Sequence, residues 1–152
     1  MGVTVRGRTA IADGVAAGAL AAVGSGAPST LHALLVRASP LEATLAAGTL
    51  LLRHETRPLP LVLAAVPAHL GISLSWGVVM ALTLPRRWTV AAGGLSGLAI
   101  AALDLGVFAA GFPRIRALPL WPQVADHLAY GVIVGVAVAR RRAARGELDA
   151  GA

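Results

Sequence analysis

The groups in this chain that could do acid–base or ligand chemistry are few: four histidines and seven acidic residues among 152. No cysteine is present, which removes disulfides, thiolate nucleophiles and cysteine-ligated metal centres. His69, Ser73 and Trp76 follow i, i+4, i+7 spacing and therefore share one face of a helix. Asp104 interrupts a long apolar stretch, Asp126 and His127 open another, and His32 follows the breaker sequence Ser25-Gly26-Ala27-Pro28-Ser29-Thr30. The candidate polar site is accordingly His69, Ser73, Asp104, Asp126, His127 and His32.

Three chemistries suit these residue types. A proton relay through Asp104 and His69 is one, because histidine titrates near neutral pH. Imidazole and carboxylate also suit a transition metal, yet no His-x-x-x-His or Glu-x-x-His spacing supports a metal site, so no metal or other cofactor is assigned. The Ser25 to Thr30 stretch lacks the G-x-S-x-G elbow of a serine hydrolase, and an enzyme is not expected. The structural alternative is that His69 and Asp104 pair as glue between helices, with Ser73 bonding a backbone carbonyl.

The elements that must position these groups are apolar runs. Charged residues make up 13% of the chain, where a soluble domain carries about 25%, and the mean hydropathy is +0.75. Four runs reach the ~17–25 residues needed to cross a bilayer: about 9–27, 59–84, 89–112 and 124–139. The fold class is therefore an all-α membrane protein, a four-helix transmembrane bundle. Pro67 inside the second run predicts a kink there. The first run resembles a signal peptide in having Arg6 and Arg8 before it and Ala19-Leu20-Ala21 within it, but Asp13 and the membrane pattern that follows favour a retained span. Residues 40–53 are too short to cross and read as an interfacial or re-entrant helix between spans one and two, with Glu42 suiting its N-terminal turn.

The net charge of +6 comes from thirteen arginines, which lie in short clusters between apolar runs rather than along one polar face. That pattern sets topology and argues against nucleic acid as a partner. Placing both termini in the cytoplasm of a bacterial inner membrane leaves Arg6, Arg8, Arg86, Arg87, Arg140, Arg141, Arg142 and Arg145 inside, against Arg37, Arg53, Arg57, Arg114 and Arg116 outside. Trp88 and Trp121 would then sit at the interfaces. In this arrangement Asp104, nine residues before Pro113, and His69, ten after Leu59, both lie about 13–15 Å below the outer helix ends. A contact between them is expected.

Lipid offers no hydrophobic drive for helix association, so small residues must let backbones approach. Gly14/Gly18, Gly93/Gly97 and Gly131/Gly135 are such pairs. An internal repeat of spans one and two in spans three and four is also legible: the stretch from Asp13 to Gly18 echoes that from Asp104 to Gly111, and Ala68-His69-Leu70 echoes Asp126-His127-Leu128.

From about Ala68 to Arg142 the order and spacing of His69-x-x-x-Ser73, Pro85-Arg86, Gly94-Leu95-x-Gly97, Pro113, Leu118-Pro119-x-Trp121 and His127-Leu128 resembles the YagU-like family of bacterial inner-membrane proteins. The resemblance implies a multi-span inner-membrane protein linked to acid tolerance, and it supplies no reaction or cofactor. The functional expectation is a small protein with a polar site in the outer half of its bundle, conducting or sensing protons or holding a small solute. The alternatives are an accessory subunit of a larger membrane complex and a metal- or haem-binding membrane enzyme. Membrane lipids, a second copy or a larger complex are the partners expected.

Overall fold

The computed structural model describes the backbone of residues 2–150 and the side chains of residues 7–146, so the side chain of Arg6 lies outside the described residues. Every regular element in it is helical, and the order is α1 (Gly2–Gly24), α2 (Ala27–Leu35), α3 (Glu42–Gly48), α4 (Pro58–Thr83), α5 (Thr89–Gly106), a 3-10 turn (Phe108–Gly111), α6 (Pro113–Arg116) and α7 (Leu120–Ala150). Four stretches are long and apolar enough to cross a membrane: Gly7–Leu35, Pro58–Thr83, Thr89–Gly111 and Leu120–Gly146. At most 33% of the most apolar window of any of them is buried inside the bundle, so most of each span turns apolar side chains outward. Leu20, Val23, Leu63, Leu82 and Leu95 are among these exposed residues, a surface that only lipid can cover across its whole girth. The chain is a multi-pass membrane protein.

Glycine seams build the bundle. The helices α1 and α4 run antiparallel, with Gly14 against the backbone of Gly77 and Val78 and Gly18 against that of Ser73 and Leu74. A methyl group added at Gly18 would lie 2.6 Å from the Ser73 carbonyl oxygen, so the approach requires a residue without a side chain. The helices α5 and α7 repeat the arrangement. Gly131 meets the Gly93 carbonyl and the Gly97 Cα, as Gly77 meets the Gly14 carbonyl and the Gly18 Cα. These two hairpins are joined along α1 and α7, whereas α4 and α5 barely approach one another. Met80, Val134 and Val138 fill the space between the hairpins, with Ala17, Ala21 and Ile100.

The repeat is therefore real as packing, but in another register. Matching the seams sets Gly93 and Gly97 on Gly14 and Gly18, and Gly131 on Gly77. By that match His127 corresponds to Ser73, one turn from His69, and Asp104 corresponds to Ser25. Asp13 and Asp104 are not equivalent; they lie at opposite ends of the bundle.

Both termini emerge at the same end, and arginines close it. The Asp13 carboxylate, 2% exposed, accepts from Arg141 Nε at 2.8 Å and from Arg145 Nη1 at 2.7 Å, with Arg145 Nη2 on its second oxygen. Two charge-assisted contacts thus tie α1 to α7. Arg142 donates to the Ala81 carbonyl at 3.0 Å and the Leu84 carbonyl at 3.1 Å, satisfying acceptors that the last turn of α4 leaves unpaired. Asp13 is an interhelical anchor, well inside α1 rather than at its N-terminus.

Several helix ends differ from those read in the sequence. Pro28 does not close the first span; it sits in the first turn of α2, where its missing N–H costs nothing, and the stretch reaches Leu35. The interfacial helix is seven residues, not fourteen. Its end is tightened by i→i+3 bonds from Thr49 N–H to Ala46 and from Leu50 N–H to Ala47, and by the Thr49 hydroxyl on the Ala46 carbonyl at 2.6 Å. Gly48 lies against the backbone of Leu61, which docks α3 on α4. The α-helix of span three stops at Gly106 and gives way to the 3-10 turn, while α7 begins at Leu120 with Pro122 in its first turn and runs past residue 139. These last two shifts decide the site.

Candidate functional site

At the end of the bundle away from the termini the helices part around a cavity of about 810 Å³. Its walls come from the α1–α2 junction, α3, α4, the end of α5 with the 3-10 turn and α6, and the start of α7. The stretch around α3 and that around α6 roof it. They are fastened by Arg114 on Glu42 at 3.1 Å, by the Arg53 guanidinium on the Gly111 carbonyl, and by the same guanidinium 5.0 Å from the Phe112 ring centre.

Five of the six candidate residues line this cavity: His69, Ser73, Asp104, Asp126 and His127. His32 does not; it lies in the last turn of α2, outside the lining. The pairing is not the one expected. Asp104 Oδ2 lies 3.3 Å from His127 Nε2, and His69 Nε2 instead donates to the Ala22 carbonyl at 2.9 Å. The reason is where the helices end. Asp104 is in the last turn of α5, two residues before Gly106, rather than nine residues deep in a longer helix. His127, seven residues into α7, is about 10 Å from that helix's start rather than at its edge. Span four thus presents its imidazole where span three presents its carboxylate.

The hydrogen bonds limit the protonation states. His127 Nδ1 lies 2.7 Å from the Gln123 carbonyl, which only accepts, so Nδ1 carries a hydrogen. A neutral ring then has a bare Nε2 facing a carboxylate, two acceptors in contact. One proton must lie between them, either on the ring, giving imidazolium and carboxylate, or on Asp104. With that proton in place the pair carries no net charge. His69 is different, since its Nε2–H is committed to a carbonyl and its Nδ1 is left as an acceptor.

Asp126 has a structural task. Its Oδ1 accepts from the Ser29 backbone N–H at 2.9 Å, in the first turn of α2, where no side chain of α2's own N-cap residue bonds the free amides. A carboxylate from α7 thus caps a helix that starts on the other hairpin. Ser73 is buried, and its carbonyl accepts the Tyr130 hydroxyl. Ser25 is also buried and lines the cavity.

Tyr130, Gln123, Phe108 and Phe112 belong to the lining and were not among the candidates. For Tyr130 the signal was there to be read: it stands three residues after His127 and four after Asp126, on the same helical face. The two phenylalanines carried no such signal, because they come from an irregular segment with no periodicity. Among the described residues no three His, Asp or Glu side chains gather closely enough to hold a metal ion. No protein-family model, curated protein or solved structure matches the chain.

Proposed function

We propose that the cavity is a proton-linked site for a small solute, in a bacterial inner-membrane protein with both termini in the cytoplasm. The observation that carries this reading is the Asp104–His127 contact at 3.3 Å in the wall of a cavity of about 810 Å³. Ionisable groups at membrane depth are costly and default to function, and this pair lies where a solute could reach it. The orientation rests on charge: Arg8, Arg86, Arg87 and the Arg140 to Arg145 cluster gather at the end bearing the termini, which the positive-inside rule assigns to the cytoplasm. His69, Ser73 and His127, which contribute to the resemblance to the YagU-like family, all line the cavity, and membership of that family is part of this proposal.

The test is to follow the His127 ring nitrogens by NMR and the Asp104 carboxyl by infrared difference spectroscopy in the reconstituted protein. A coupled titration of both signals between pH 4 and pH 9, abolished on the imidazole by Asp104→Asn, is the expected result. An imidazole that titrates identically with and without the carboxylate overturns the reading. A reporter tag at the C-terminus accessible only from the cytoplasm checks the orientation.

A second reading, an accessory subunit of a larger membrane complex, draws on the loose boundary between α4 and α5. There Trp76, Met80, Ser96 and Ile100 help line a smaller hollow of about 300 Å³. A stoichiometric partner recovered by mild-detergent pulldown supports that reading, and a monodisperse single species opposes it.

A further inference from the structure

Resting on the proton-linked reading of the cavity, we propose its ligand class: a hydrophobic organic cation, bound in exchange for the proton shared by Asp104 and His127.

Three independent features of the wall point there. The first is charge. None of the twelve arginines whose side chains the structure describes lines the cavity, while two carboxylates, Asp104 and Asp126, do. An anionic head would meet no guanidinium in that lining, Arg53 being held in the roof on the Gly111 carbonyl and over Phe112, and it would face both carboxylates across a medium in which charges are poorly screened. The second is the distribution of aromatic rings. The chain has three Trp, one Tyr and two Phe, and four of these six, Trp76, Phe108, Phe112 and Tyr130, line this one cavity. Ring faces attract cations, organic ones included, and the Arg53 guanidinium already exploits Phe112 from the roof. The third is size and polarity. At about 810 Å³ the cavity falls in the range that encloses drug-sized molecules, and leucine, alanine and isoleucine supply much of the remaining wall. A hydrated inorganic ion would leave that apolar surface unused.

Charge bookkeeping links the cation to the proton. Before binding, the Asp104–His127 pair with its proton is neutral overall. Entry of a monovalent cation with release of the His127 Nε2 proton to water leaves Asp104 negative and the His127 imidazole neutral. The cavity with its cation then bears the same net charge as before. No bond between heavy atoms is made or broken, and one proton leaves for each cation that enters. The titratable groups facing the pair are His69 from α4 and Asp126 and Tyr130 from α7; α1 and α2 contribute only the hydroxyls of Ser25, Ser29 and Thr30. Protonating the pair and binding the cation therefore compete, so binding should weaken as the pH falls.

The test uses two ions of one shape and opposite charge, tetraphenylphosphonium and tetraphenylborate. Each is titrated into the full chain in zwitterionic nanodiscs, and the partitioning measured in protein-free nanodiscs is subtracted. The expected result is saturable binding of the phosphonium, at least tenfold weaker binding of the borate, and at least tenfold weaker phosphonium binding at pH 5 than at pH 8. Asp104→Asn should lower phosphonium affinity at least tenfold and remove the pH dependence. Because a polar variant could disturb packing, Phe108→Leu is measured beside it, at an exposed ring outside the core, with a several-fold loss expected. Equal saturable binding of both ions, preference for the borate, or phosphonium binding indifferent to Asp104→Asn in protein that melts like the parent would overturn the inference. The NMR titration separates the two failures. If His127 still titrates with Asp104 but no cation binds, only the ligand class falls; if the imidazole does not respond to Asp104, the proton-linked reading falls with it.

Discussion

The hairpin of α1 with α4 and the hairpin of α5 with α7 are assembled on the same plan, yet they carry different chemistry. In each, a carbonyl and a Cα from one helix rest on a glycine of the other, Gly14 and Gly18 on Gly77, Gly93 and Gly97 on Gly131. One step toward the cavity the hairpins diverge. The first has Ser25 and Ser73, both buried; the second has Asp104 and His127 in contact at 3.3 Å. Glycine contact tolerates either pair, because the seam is held by backbones rather than by whatever polar group lies at its end. A scaffold can thus repeat while a site is placed in one copy alone.

The comparison breaks most visibly at the seams. Gly18→Leu and Gly97→Leu should each destabilise the protein by more than about 3 kcal/mol, since neither opposing backbone can yield to a side chain. Unfolding in detergent followed by circular dichroism measures this. Similar losses support equivalent seams, and tolerance at one site alone would show that the hairpins are held differently.

A smaller effect is expected where the hairpins join. Asp13→Asn should cost about 2 kcal/mol, the scale of hydrogen bonds to a charged group, because Arg141 and Arg145 are partly exposed and can be resolvated when released. The same unfolding assay applies. Loss of the fold altogether would mean that α1 and α7 depend on this anchor more than on their apolar contact.

Converting the second hairpin to the chemistry of the first sharpens the comparison further. The double variant Asp104→Ser with His127→Ser should retain stability to within about 1 kcal/mol, since interhelical polar pairs in membranes contribute little and both partners go together. It should remove the pH dependence of phosphonium binding while leaving His69 and Asp126 in the cavity wall. A large loss of stability would make the pair structural glue.

The smallest effect lies outside both hairpins. The side-chain hydrogen bond from Arg57, aided by the Arg57 and Thr56 backbone amides, holds the partly exposed Glu55 carboxyl at about 2, against an ordinary 4.5. A depressed carboxyl favours the folded loop above pH 4.5 and loses that contribution as the pH falls from there through about 2. Chemical-shift titration of Glu55 should find its midpoint near 2, and Arg57→Ala should return it toward 4.5.

Four crossings were legible because a bilayer demands ~20 apolar residues per helix, and nothing else in the chain meets that length. The small-xxx-small pairs were legible too, though not which helix each would meet. The Asp13 contact was not legible because its partners, Arg141 and Arg145, are 128 and 132 residues away, and no local pattern reports such a contact. The Asp104 partner was missed for a more specific reason. At 1.5 Å per residue, a few residues of error at the ends of spans three and four move an intramembrane group by a full turn, which changes the imidazole it meets. Composition and apolar run length, which are local quantities, determined by themselves that this chain lives in lipid with scarce ionisable groups. Only the tertiary structure decided that Asp104 meets His127, that aromatic rings gather in the same cavity wall, and that the described arginines stay out of its lining, because those facts depend on where helices stop and on contacts between residues far apart in the chain.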